Sequence, residues 1–191
     1  MTPQGPRVLV AGVCGAGKTT MAAALATRYG LPHHELDALF HGPGWVKRPE
    51  FEADVHAFAH QGRWVCEDQY DGYLGDLLWE RANRLVWVDM PYTTVMRRVV
   101  GRSLVRLITR RTLWNGNRER WRSLLFDPKH PARFALSHHA SHRADVAARL
   151  ARHPELVVVR LTSAAEADRW FDSLPEPEFW PATDDREPFS E

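Results

Sequence analysis

The stretch that most constrains how this chain can fold is Gly12-Val13-Cys14-Gly15-Ala16-Gly17-Lys18-Thr19-Thr20. An apolar run, Val8–Ala11, leads into it and a small-residue stretch, Met21–Leu25, follows. The pattern G-x-x-x-x-G-K-T therefore falls where a strand turns into a helix. A loop with so few side chains lets backbone N–H groups curl around a polyphosphate, and a helix starting near Gly17 adds the positive end of its dipole. In that arrangement Lys18 reaches the β- and γ-phosphates and the Thr19 hydroxyl holds Mg²⁺. Gly12, Cys14, Gly15, Ala16, Gly17, Lys18, Thr19 and Thr20 are the expected nucleotide-binding residues.

Beyond this loop, strand-like and helix-like stretches alternate, which predicts an α/β fold with a parallel sheet covered on both faces. Strands are expected at Arg7–Ala11, His33–Leu36, Arg63–Cys66, Arg84–Val88 and Leu156–Leu161. Helices are expected from the loop to Tyr29, from Pro49 to about Gln61, over 73–82, from Thr93 to Arg110, from about Pro131 to Arg152 and over 164–174. At 191 residues this is one domain, placed at 1–174, with a poorly ordered tail at 175–191 rich in proline and acid, where Phe179 and Trp180 could dock on the core. No internal repeat or membrane-length apolar run occurs, and the first residues lack a secretory core. Two cysteines, Cys14 and Cys66, fit a reducing compartment, so a cytoplasmic protein, a monomer or a small homo-oligomer, is expected.

Strand ends in such a sheet gather ligands, which singles out three acidic positions. Asp37, after the second strand, is placed to meet a phosphoryl acceptor. Glu67 or Asp68, after the third, supplies the carboxylate that a Mg²⁺-dependent phosphate site needs, Glu67 leading. Asp89, after the fourth, ranks behind Glu67 because it may simply cap the turn before Pro91. Phe40, Trp45, Tyr70 and the helix after Pro49 are candidates for shaping the acceptor site.

Charge is segregated. Nine arginines lie between Arg97 and Arg122 against a single acid, Glu119, although the whole chain carries only +1. Such a block is built to face something anionic. Arg98, Arg102, Arg106 and Arg110 are four apart and so share one helical face, and 113–117 reads as a mobile tip that breaks the helix. His138 and His142, with His139 beside them, have helical spacing for zinc but no third ligand in a matching pattern, and Arg143 is a candidate support for the basic segment.

At this point the chain resembles the P-loop kinase group that contains adenylate kinase and shikimate kinase. More narrowly, it resembles the adenylate-kinase-like bacterial proteins often labelled "DNA topology modulation protein". The likeness spans about Arg7 to Leu174. It is carried by the phosphate loop, Leu36-Asp37-Ala38-Leu39-Phe40, Trp64-Val65-Cys66-Glu67-Asp68-Gln69-Tyr70, Val86-Trp87-Val88-Asp89, and Arg98 with Arg102. Where that family shows W-x-x-D-G-N-Y, this chain has Glu67, Asp68 and Gln69 in place of the Asp, Gly and Asn. The resemblance implies a P-loop NTPase three-layer sandwich with a five-stranded parallel sheet in the order 2-3-1-4-5. It also implies an arginine-rich helical lid, about 97–130, that closes over the phosphates.

The function expected from these residues is ATP-dependent phosphotransfer to a small acceptor, with nucleosides and nucleotides the leading acceptors and ATP and Mg²⁺ the cofactors. Lys18 and the loop hold ATP, Thr19 and Glu67 serve the metal, Asp37 orients or deprotonates the acceptor hydroxyl, and Arg98 with Arg102 clamp the transferring phosphate. The alternative is an ATP-regulated protein that meets nucleic acid through 97–122, where Trp114 and Trp121 add stacking surfaces. A signalling GTPase is disfavoured by the absence of N-K-x-D and of a clear D-x-x-G after the third strand.

Overall fold

A computed structural model describes residues 5–109, 114–117 and 131–176. Its centre is a strand, β1 (Arg7–Ala11), hydrogen-bonded on both edges to parallel neighbours. The other strands are β2 (His33–His34), β3 (Trp64–Glu67), β4 (Arg84–Val88) and β5 (Val157–Leu161), and the five pair in the order β2-β3-β1-β4-β5. The central strands are apolar almost throughout because both faces are covered. Val8 and Val10 pack with Val65, Val86 and Val88 against α1 (Lys18–Tyr29) and α6 (Tyr92–Thr109). Leu9 and Ala11 pack on the other face with Cys66, Leu85 and Trp87 against α3 (Phe51–Ala59), α5 (Leu77–Arg81) and α7 (Pro131–Leu150). A last helix, α8 (Ala164–Asp172), covers β5, its N-terminus capped by the Ser163 hydroxyl. The result is the expected three-layer α/β arrangement.

Three local expectations are corrected. The second strand stops at His34, and Asp37 lies in the first turn of a short helix, α2 (Leu36–Phe40), instead of at a strand end. The helix expected over 73–82 is two short ones, α4 (Asp71–Leu74) and α5, because the chain turns at Gly75. The expected mobile tip at 113–117 contains a single 3-10 turn, Trp114–Gly116, whose asparagines are tied down. Much of the expected lid, 110–113 and 118–130, and the tail from 177, with Phe179 and Trp180, lie outside the described residues. Among the described residues no helix is long and apolar enough to cross a membrane.

Candidate functional site

The loop between β1 and α1 is shaped by close packing against α6. A side chain at Gly15 would place its Cβ 2.0 Å from Val99 Cγ2, and the residue sits at φ +87, a conformation that L side chains rarely adopt. Val13 and Ala16, on either side, are buried in the core. The first turn of α1 has no capping side chain at Gly17, so its N–H groups face the loop. Lys18 is 7% exposed, and its ammonium donates to the Gly12 carbonyl at 2.6 Å. From α6, Arg98 donates to the Ala16 carbonyl at 2.7 Å, and Arg102 Nη2 lies 3.3 Å from Cys14 Sγ. Both expected clamp arginines therefore stand at the loop. The Arg106 side chain and Arg110 lie outside the described residues.

Strand alternation separates the two candidate carboxylates. Glu67, level with Val10 of β1, is 2% exposed and approaches His33 Nε2 at 3.3 Å through Oε1. The Thr19 hydroxyl also faces this carboxylate. Burial pushes the Glu67 pKa up, but the hydrogen bond and charge of His33, with the Glu67 backbone and Thr19, outweigh it and hold the group below its ordinary value. Its other oxygen, Oε2, is buried without a hydrogen-bond partner. An unpaired buried carboxylate oxygen beside a hydroxyl at the foot of a phosphate loop is a donor set that fits Mg²⁺. Asp68 points elsewhere, accepting from Trp79 Nε1 at 3.0 Å and pairing with Arg149 at 3.6 Å. Burial raises its pKa against the opposing pull of Arg149.

Asp37 is reached from another direction. Tyr70, directly after the third-strand motif, donates its hydroxyl to Asp37 Oδ1 at 2.6 Å and lies 3.2 Å from His41 Nε2. A phenol has one proton, and the shorter, charge-assisted bond to the carboxylate takes it. His41 Nε2 is thereby the donor to the phenol oxygen. Burial, reinforced by Asp37, raises the Tyr70 pKa far above its ordinary value, so the hydroxyl stays protonated. Tyr70 is held at φ 61, in the left-handed region, with its ring stacked on Phe40 at 4.1 Å. Phe40 also meets buried Phe51 edge-on, whereas Trp45 is 40% exposed. Asn117 closes this side: it donates to the Gly42 carbonyl at 2.9 Å and accepts from Trp45 N at 3.1 Å, and Asn115 donates to the His41 carbonyl.

The remaining candidates are structural in their contacts. Asp89 is 4% exposed and is gripped by Arg143 of α7 and Arg160 of β5, at 2.5 and 2.6 Å. Arg143 therefore braces the sheet end. His139 donates to the Met90 carbonyl at 3.0 Å, His142 turns a buried, unpartnered Nε2 inward, and the His138 side chain lies outside the described residues. No group of three or more His, Cys, Asp or Glu suited to a metal occurs among the described residues.

Sequence reasoning missed His33, Asn115 and Asn117. His33 had a usable signal, since the order 2-3-1 puts β2 beside β3, where His33 opposes Val65 and so shares a face with Glu67. The asparagines had none, because nothing in their spacing ties them to a loop some seventy residues earlier.

No protein-family model matches the chain, and no curated protein matches it. Solved structures do. It is similar to a shikimate kinase from Acinetobacter baumannii at 15% identity, over 87% of this chain and 89% of that one, with a TM-score of 0.49. A gluconokinase from Sinorhizobium meliloti aligns at 18% identity over 90% and 96% of the two chains, with a TM-score of 0.44. A sugar kinase from Janibacter aligns at 18% over 86% and 91%, with a TM-score of 0.39.

Proposed function

We propose that this chain is an ATP-dependent phosphotransferase, an adenylate-kinase-like P-loop kinase that moves the γ-phosphate of ATP to a hydroxyl or phosphate of a small acceptor, nucleosides and nucleotides being the first to test. The observation that carries this reading is the convergence of Lys18, the Thr19–Glu67 pair and the two α6 arginines on one strand-to-helix loop. The loop N–H groups and Lys18 bind the polyphosphate. Mg²⁺, held through Thr19 and Glu67, bridges the β- and γ-phosphate oxygens and neutralises their charge when bound. Arg98 and Arg102, freed from the Ala16 carbonyl and Cys14, follow the phosphoryl group and exclude water. Asp37, held in one orientation by Tyr70, accepts the proton of the acceptor hydroxyl. Because Arg98 and Arg102 turn inward to the loop, phosphotransfer is favoured over nucleic-acid binding by this helix.

A screen of ATP consumption over nucleosides, nucleotides and small polyols tests the activity. With the acceptor found, Asp37→Asn should lower kcat by about 10²–10⁴-fold while leaving ATP affinity unchanged. Unchanged turnover in that variant removes Asp37 from the chemistry.

A further inference from the structure

We propose that His33 is a positioning residue for the metal site: it occupies Oε1 of Glu67 and so turns Oε2 toward the Thr19 hydroxyl, where a divalent cation on the nucleotide would be met. This rests on the phosphotransferase reading. The geometry is specific. His33 opposes Val65 across the β2–β3 ladder, and Glu67, two residues on, shares that face. The two side chains are 16% and 3% exposed, with Nε2 and Oε1 3.3 Å apart. A glutamate has one more rotatable bond than the aspartate of the motif this stretch resembles, so its head needs an external restraint that a shorter side chain does not. His33 supplies that restraint from a neighbouring strand, and the carboxylate keeps one buried, unpaired oxygen. An imidazole that fixes a ligating carboxylate is the usual way an outer shell tunes a metal site.

The position of His33 yields an asymmetric expectation. It touches neither the phosphate loop nor Lys18 in any described hydrogen bond, so it should matter for ATP with metal and not for ATP alone. Calorimetric titration of ATP into the full chain, with Mg²⁺ and with EDTA, reads this directly as the ratio of the two affinities. His33→Ala should cut the Mg²⁺ enhancement about tenfold while the affinity in EDTA stays within about twofold. His33→Asn, which keeps a donor on the strand, should recover part of it. In Glu67→Asp the shorter carboxylate no longer reaches His33, so adding His33→Ala should change nothing further. The proposal is overturned if His33→Ala keeps the full enhancement, if both affinities fall together, or if its cost persists in the Glu67→Asp background. Absence of any heat from the unaltered chain with ATP, in either buffer, overturns the nucleotide reading and this proposal together.

Discussion

The loops at 12–19 and 40–47 both follow strands of the same sheet, yet opposite means hold them. The first is braced by apolar contact: Val13 and Ala16 are buried, and Gly15 lies flat against Val99. The second is laced by polar threads, with Gly42 N to Val46 O and Arg48 N to Phe40 O closing the loop and Asn115 and Asn117 reaching in from the 3-10 turn at 114–116. A loop that must hold a fixed polyphosphate geometry gains from rigid packing. One that admits different acceptors gains from bonds that open singly, each worth about 1 kcal/mol.

The sharpest way to break this contrast is to add a methyl group to each loop. Gly15→Ala should cost about 3 kcal/mol, because the new Cβ collides with Val99 and the backbone is already at φ +87. Gly44→Ala, at φ +72 with nothing within 4 Å of the new atom, should cost only about 1 kcal/mol. Urea midpoints of the two variants compare them, and equal losses would mean that the phosphate loop is not braced as described.

A second effect belongs to the phosphate-loop side alone. Burial first, and then the charge of Lys18, push the His142 pKa down to about 4 from an ordinary 6.5. Between those values the unfolded chain binds a proton that the native chain refuses, so stability falls as the pH drops through the window, by up to about 3 kcal/mol. His142→Gln should flatten that fall in a series of urea midpoints from pH 7 to pH 4. An unchanged slope would show that the imidazole does not lie near Lys18.

The smallest effect sharpens the other side. Asn117→Ala strands the Gly42 carbonyl and the Trp45 N–H and should cost about 1–2 kcal/mol. Hydrogen exchange should quicken over residues 42–46 and stay as it was over 12–19. Equal quickening in both loops would make them one cooperative unit.

The same contrast explains what could be read in advance. The phosphate loop, the five strands and their order were legible because hydrophobic period and glycine spacing are local signals, and Glu67 was legible as the end of an apolar run. The separation of Glu67 from Asp68 needed the alternation of a real strand, which sends one toward Thr19 and the other toward Trp79 and Arg149. Asp37 was legible as a residue near the site, but its setting was not. Two residues of pairing suffice for β2, and Leu36 then turns inward as the start of a helix. The Tyr70–Asp37 bond depends on a left-handed tyrosine that no propensity would assign.

Asp89 works as a rivet. It fastens the middle of α7, through Arg143, to the last residue of β4 and, through Arg160, to the adjacent edge strand. A rod pinned at one point along its length can swing about the pin but cannot slide past it. His142, next to the pin, therefore keeps its height over Lys18 while the helix's distal turns sweep an arc, and the arc grows with distance from Arg143.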